Sequence, residues 1–271
     1  MDNRPIGVFD SGLGGLTSVP YLIDRLPDEK LIYFGDTART PYGSKAVKTV
    51  MNFSDQIADF LVESGVKMII IACNTVSSTC AAHLAKRYPD IPIVGIIKPA
   101  ADKVVSSCSS LNRVGIIGTK VTVQSGVYAE MIRSQRDDIA VFEMACPAFV
   151  PLIEEGFRDS DIMELTIRYY LDDFILENRI DTMVLACTHY PLIGDMIRRM
   201  YPDIRIINPS EEIVTSVEGI LQEKEMFAQP SDRENVFYAS DLSENFVAMI
   251  DEISKNTTAK IEFKNLEIDK K

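Results

Sequence analysis

The 271-residue sequence has no tryptophan, which excludes nothing, and only two histidines, which does limit metal chemistry. With His83 and His189 alone, and no CxxC or HExxH spacing, the one local candidate pair of metal ligands is Cys187 with His189. Basic residues are also scarce: 28 Lys and Arg stand against 40 Asp and Glu, a formal charge of −12 with no basic tract. Nucleic-acid binding is therefore not expected, because phosphate contacts need clustered cations. No apolar run approaches the roughly 20 residues of a membrane span. The polar opening Met1-Asp2-Asn3-Arg4-Pro5 shows no secretory signal core, and no membrane association is expected. Five cysteines make neither an even set nor a small-domain disulfide framework, so free thiols in a reducing cytoplasm are the expectation. No Gly-Lys-Ser/Thr phosphate loop occurs. The one glycine-rich loop misses the dinucleotide fingerprint, because its third glycine position is Thr17. No lysine stands at a strand end to form a Schiff base with pyridoxal phosphate.

What is present is a repeated arrangement. Met68-Ile69-Ile70-Ile71-Ala72-Cys73-Asn74-Thr75 is an apolar run of strand length ending in a thiol and two short polar residues. Met183-Val184-Leu185-Ala186-Cys187-Thr188-His189 repeats it 114 positions later. Both read as buried parallel strands that deliver a thiol at the carboxyl end, where open α/β sheets bind ligands.

The intervening chain supports a parallel α/β architecture. Strand Ile6 to Phe9 runs into the glycine loop Asp10-Ser11-Gly12-Leu13-Gly14-Gly15, which is either a tight turn or a place of close backbone approach. A helix near Ser18 to Leu26, a strand Leu31 to Phe34 and an aperiodic loop over 35–43 follow. Val50, Phe53, Ile57, Phe60 and Leu61 mark a helix from Lys48 to Ser64 that Gly65 ends. After the Cys73 strand and a helix, Ile93 to Ile97 forms a fourth strand closed by Pro99. The pattern then restarts: Asn112-Arg113-Val114-Gly115-Ile116-Ile117-Gly118-Thr119 echoes Asn3 to Asp10 at an offset of 109. The second unit adds a strand from Ile139 to Met144, a loop over 146–156, a helix near Asp159 to Glu177, the Cys187 strand and a strand Ile204 to Ile207. The tail adds a helix from Ser210 to Glu223, a strand Val236 to Ala239, a helix from Ser243 to Ile253, then a short strand and a frayed end. It is expected to pack back on the first unit. The domains expected are therefore 1–98 plus 210–271, carrying Cys73, and 99–209, carrying Cys187, facing each other across a cleft.

Two strand-end thiols, each before an expected helix start, suit thiolate chemistry, because a helix N-terminus lowers a thiol's pKa. Cys80, Cys108 and Cys146 fit the ordinary role of small buried hydrophobes, and His83 reads as structural. A cysteine hydrolase could use Cys187 with His189 but leaves Cys73 unexplained. A dithiol redox pair needs none of the surrounding hydroxyls. A non-catalytic amino-acid-binding module remains a further alternative. Proton removal from carbon by one thiolate, with protonation by a thiol on the opposite face, uses all of these features.

Several stretches resemble bacterial glutamate racemases, in that family's order and over roughly residues 6–240. They are Phe9 to Thr17, Gly35-Asp36-Thr37-Ala38-Arg39-Thr40-Pro41-Tyr42-Gly43, Ala72-Cys73-Asn74-Thr75, Gly118-Thr119, Cys146 to Glu154, and Cys187-Thr188-His189-Tyr190-Pro191-Leu192. The resemblance implies a cofactor-independent racemase, with no metal, that interconverts L- and D-glutamate for peptidoglycan precursors, often as a homodimer. It implies that Cys73 acts on D-glutamate and Cys187 on L-glutamate. Asp10 would assist Cys73. His189 would assist Cys187 together with Glu154, or else its neighbour Glu155. The substrate contacts it implies are Asp10, Ser11, Tyr42, Gly43, Asn74, Thr75, Thr188 and His189. The related aspartate racemases share the paired cysteines, while the Asp10 to Gly12 and Asp36 to Gly43 stretches favour the glutamate branch. These stretches hold little Lys or Arg, so backbone N–H groups and short polar side chains at helix starts are the expected carboxylate ligands.

Overall fold

The computed structural model describes residues 1–232, 234–253 and 259–266. Its strands are β1 (Ile6–Asp10), β2 (Leu31–Gly35), β3 (Met68–Ile71), β4 (Ile93–Gly95), β5 (Arg113–Gly118), β6 (Ala140–Ala145), β7 (Thr182–Ala186), β8 (Arg205–Ile207), β9 (Asn235–Ala239) and β10 (Ala259–Phe263). They form two wholly parallel sheets, ordered β10-β9-β2-β1-β3-β4 and β6-β5-β7-β8. Helices cover the sheets, so strands β1, β3 and β7 are buried along their whole length. That burial explains their continuous apolar runs in place of an alternating pattern. Each fully buried Ile or Val contributes about 1.5–3 kcal/mol over leaving it exposed.

The duplicated unit expected from the sequence is present in the topology. β2-β1-β3-β4 and β6-β5-β7-β8 follow one order, with the first strand of each unit flanked by its second and third. β3 and β7 are thus equivalent, and Cys73 and Cys187 leave equivalent strand ends. The tail packs on the first unit as expected, with β9 beside β2.

Several local expectations need correction. The fourth strand ends at Gly95, and Ile97 already opens a helix, Ile97–Ser107. Pro99 lies in its first turn, where a missing N–H costs nothing. The loop over 146–156 contains a helix, Phe149–Glu154, and the loop over 35–43 contains short 3-10 turns. Cys73 is followed directly by helix Asn74–Arg87, but Cys187 is not. After it come two turn residues and the 3-10 segment Tyr190–Ile193, before helix Gly194–Met200. The symmetry of helix starts behind the two thiols is therefore incomplete. The expected frayed end falls on 267–271, outside the described residues.

Helix Ile97–Ser107 packs against both Val127–Arg133 and Pro209–Glu223. One core cluster runs unbroken from Ile6 and Ile70 of the first sheet to Val114, Ile116 and Val184 of the second. This shared core holds the carboxyl ends of the two sheets against one another.

Candidate active site

The site forms where those strand ends meet. A small cavity, about 20 Å³, is lined by Ser11, Thr40, Pro41, Tyr42, Gly43, Cys73, Asn74, Thr75, Thr119, Val150, Cys187, Thr188 and His189. Both thiols line it and both are buried. A larger open cleft, about 850 Å³, lies between helices Val19–Arg25 and Glu244–Ile253, but it contains neither sulfur.

On the Cys73 side the thiol donates to Ser11 Oγ at 3.5 Å. It also lies within hydrogen-bonding reach of the Asp10 carboxylate. Asp10 ends β1 and is fully buried. Its Oδ2 accepts from the backbone N–H groups of Gly12 (3.1 Å) and Gly15 (3.0 Å), and its Oδ1 from Thr188 Oγ1 (3.3 Å). Burial raises the Asp10 pKa, opposed by the charge of His189 and by the two glycine N–H groups. Burial and the nearby Asp10 charge push the Cys73 thiol well up. The helix start after Cys73 was expected to acidify it. Desolvation and a neighbouring carboxylate outweigh that effect.

The Cys187 side is built differently. His189 Nδ1 lies 3.9 Å from Cys187 Sγ, and Nε2 lies 2.9 Å from Glu154 Oε1. Burial opposes charging His189, but its hydrogen bonds to Cys187 and Glu154 and their negative charge prevail, and its pKa rises to about 10. The ring is therefore an imidazolium at neutral pH. Glu154 is the carboxylate that meets His189, whereas Glu155 is exposed to solvent.

The glycine loop owes its composition to close approach. A Cβ on Gly14 would sit 2.4 Å from His189 Nδ1. Gly14 does not have positive φ, so crowding and not a left-handed backbone excludes a side chain there. Gly43 is similar: a Cβ would come within 2.6 Å of the Thr119 Cβ from the other half.

Of the remaining residues singled out in the sequence, Ser11, Asn74, Thr75 and Thr188 all line the cavity. Thr75 Oγ1 bridges the halves to Thr119 Oγ1 at 3.0 Å. The phenol of Tyr42 is committed to Asp36, which Arg39 and Ser240 also bind. Tyr42 and Gly43 thus offer the cavity their backbone. His83 is remote and pairs with Asp55 at 2.8 Å. Thr40, Pro41, Thr119 and Val150 also line the cavity; all four lie in the stretches quoted from the sequence but were not among the expected contacts. Thr119 could have been found, since the internal repeat aligns it with Asp10.

The Asp/Glu/Hydantoin racemase family model matches residues 19–217. The chain is 42% identical over 246 residues to a glutamate racemase of Geobacter metallireducens, covering 90% of each sequence. It is 38% identical over 264 residues to one of Neisseria meningitidis, covering 97% of each. The crystal structure of glutamate racemase from Francisella tularensis in complex with D-glutamate superposes with a TM-score of 0.91 at 37% identity, over 99% of this chain and 100% of that one. Paired thiols on duplicated parallel sheets and these matches across the whole fold lead to one conclusion: the chain belongs to the Asp/Glu/Hydantoin racemase family and is a racemase.

Proposed function

We propose that this enzyme racemises glutamate by proton transfer between two thiols, without a cofactor. The observation that carries the reading is that Cys73 and Cys187, from equivalent strands of two units, line one cavity with differently charged assistants. The near full-length identity to glutamate racemases supports the choice of substrate.

The mechanism follows from the electrostatics. The charged His189 ring, 3.9 Å from the Cys187 sulfur, is placed to balance negative charge there. Cys187 is therefore the base for the Cα proton of L-glutamate. Burial and Asp10 keep Cys73 as a thiol, ready to protonate the opposite face. Giving its proton to Cα leaves Cys73 a thiolate, which takes a proton from solvent before the next L-glutamate, and Asp10, within hydrogen-bonding reach, is placed to carry that proton. In the reverse direction Cys73 is the base acting on D-glutamate and Cys187, recharged through His189 and Glu154, is the donor. A carboxylic-acid α-proton is weakly acidic, so the intermediate's charge needs fixed donors. Ser11, Asn74, Thr75, Thr188 and the backbone at Tyr42 and Gly43 supply neutral ones around the cavity. The present space is on the order of one water, so glutamate binding requires this cavity to widen.

The two sheets also support a division into 1–98 with 210–271, carrying Cys73, and 99–209, carrying Cys187. The resemblance adds that the D-glutamate feeds peptidoglycan precursors in the cytoplasm and that the enzyme works as a homodimer.

Isotope exchange tests the mechanism. In deuterated water, D-glutamate formed from L-glutamate should carry deuterium at Cα from the first turnovers, while unreacted L-glutamate stays mostly protiated. Cys73→Ser and Cys187→Ser should each lose most racemisation, because a hydroxyl is a far weaker base. Early product that keeps the substrate hydrogen would overturn the two-thiol reading, as would near-parental activity in either serine variant. Faster turnover of aspartate than of glutamate would overturn the substrate assignment.

A further inference from the structure

Asn74 opens helix Asn74–Arg87 immediately after Cys73 and is 2% exposed. Its Oδ1 accepts a 2.7 Å hydrogen bond from the Tyr128 hydroxyl. Tyr128 lies on helix Val127–Arg133, which follows β5 in the other half, and it too is buried. It does not line the cavity, whereas Asn74 does. Among the described residues neither side chain has a second hydrogen-bond partner, and Asn74 Nδ2 is buried with none at all.

This arrangement selects one orientation of the amide. A phenol has a single hydrogen, and giving it to Oδ1 satisfies both atoms. The flipped amide would donate to the phenol oxygen and take from the phenol's own hydrogen the one acceptor it now has. It would also turn a bare carbonyl oxygen toward a cavity meant for a carboxylate. Burial and the proximity of Cys187 raise the Tyr128 pKa well above its ordinary value, which keeps the hydrogen in place. What remains is a buried N–H₂ group without a protein partner, on a residue that lines the cavity, and a buried donor without a partner is costly unless a ligand meets it.

We infer that Tyr128 is a positioning residue, whose hydroxyl holds the Asn74 amide with its N–H₂ group turned to a substrate carboxylate. The inference rests on the glutamate reading above. It also makes this donor a joint product of the two halves, since Asn74 comes from one and its orientation from the other.

Steady-state kinetics of Tyr128→Phe, Asn74→Ala and the double variant test it, with L- and D-glutamate and with melting temperatures as a check on folding. Tyr128→Phe should raise KM about fivefold or more for both enantiomers with kcat little changed. It should add no further increase in the Asn74→Ala background. An unchanged KM, or an equal rise in both backgrounds, would overturn the role. Asn74→Asp provides a check that leaves Tyr128 intact. The new carboxylate still accepts the phenol hydrogen but faces substrate with a second oxygen, so KM should rise more than in Asn74→Ala. Parental affinity in Asn74→Asp would show that the N–H₂ group does not meet substrate. A parent enzyme that neither binds nor racemises glutamate would overturn the substrate reading and this inference together. Parental activity with no response to Tyr128→Phe would overturn the inference alone.

Discussion

Thr188, one residue past the Cys187 thiol, donates to the Asp10 carboxylate at 3.3 Å and so ties the end of β7 to the end of β1. The Cys73 and Cys187 sides are thereby linked through a charge that its own surroundings disfavour. Burial raises the Asp10 pKa, so the ionised form is held against a desolvation cost.

That cost leads to a separation of stability from activity in Asp10→Asn. The new amide oxygen can accept from Gly12 and Gly15, and the amide N–H₂ can donate to Thr188 Oγ1, so the backbone and Thr188 hydrogen bonds each have a replacement. The buried charge disappears. The variant is expected to melt no lower than the parent near neutral pH while kcat/KM falls about a hundredfold or more, the usual scale of a lost general acid or base. Both directions must lose kcat/KM equally, because the enzyme cannot change the equilibrium ratio. kcat and KM can shift unequally within that constraint. Thermal melts and polarimetry check this, and a variant that is less stable yet fully active would contradict it.

A second buried charge lies far from the cavity. Lys67 Nζ, fully buried, meets Glu29 Oε2 at 2.6 Å and also donates to the carbonyls of Asp2 (2.7 Å) and Met226 (2.6 Å). Glu29 Oε1 accepts from the Ala228 N–H. This cluster fastens the N-terminal segment and the connection into β9 beneath the first sheet. Lys67→Met leaves the Glu29 charge buried and uncompensated, and should cost about 3–5 kcal/mol in denaturant unfolding. Adding Glu29→Gln should recover part of the loss. The kinetic constants should stay parental in both, since neither residue approaches either thiol. A loss under about 1 kcal/mol would mean that Glu29 takes up a proton or finds water instead.

The sheets were legible from sequence because buried parallel strands leave continuous apolar runs, as in Met68 to Ile71 and Met183 to Ala186, and because the unit is repeated. The cavity at the strand ends was legible because polar residues interrupt those runs abruptly at Cys73 and Cys187. The differences between the two sides were not. They depend on desolvation and on partners distant in sequence: Asp10 sits 63 positions before Cys73 and Glu154 sits 33 before Cys187. Helix propensity suggests similar helix starts behind both thiols, yet the second is the 3-10 segment Tyr190–Ile193, whose Tyr190 packs against Phe149. Tyr128 lay beyond sequence reading altogether, since one buried tyrosine on an amphipathic helix looks like any core residue.

The charge on His189 has a consequence that can be measured without substrate. Its pKa is about 10 in the folded enzyme, against 6.5 for an ordinary histidine. Between those values the folded state holds a proton that the unfolded state has released. The His189 contribution to stability must then fall as pH rises, since the slope of the unfolding free energy follows protons bound in the unfolded state minus those in the folded state. The contribution is fully present below the unfolded pKa and is lost by the time pH passes through the folded one. One such group gives a slope of up to about 1.4 kcal/mol per pH unit. In His189→Asn the proton is absent from both states, and the slope over this window should flatten by that amount relative to the parent. Denaturant unfolding of both proteins in steps from pH 6.5 toward pH 10 measures the difference directly. Parallel pH profiles would mean that the fold gains no proton at His189.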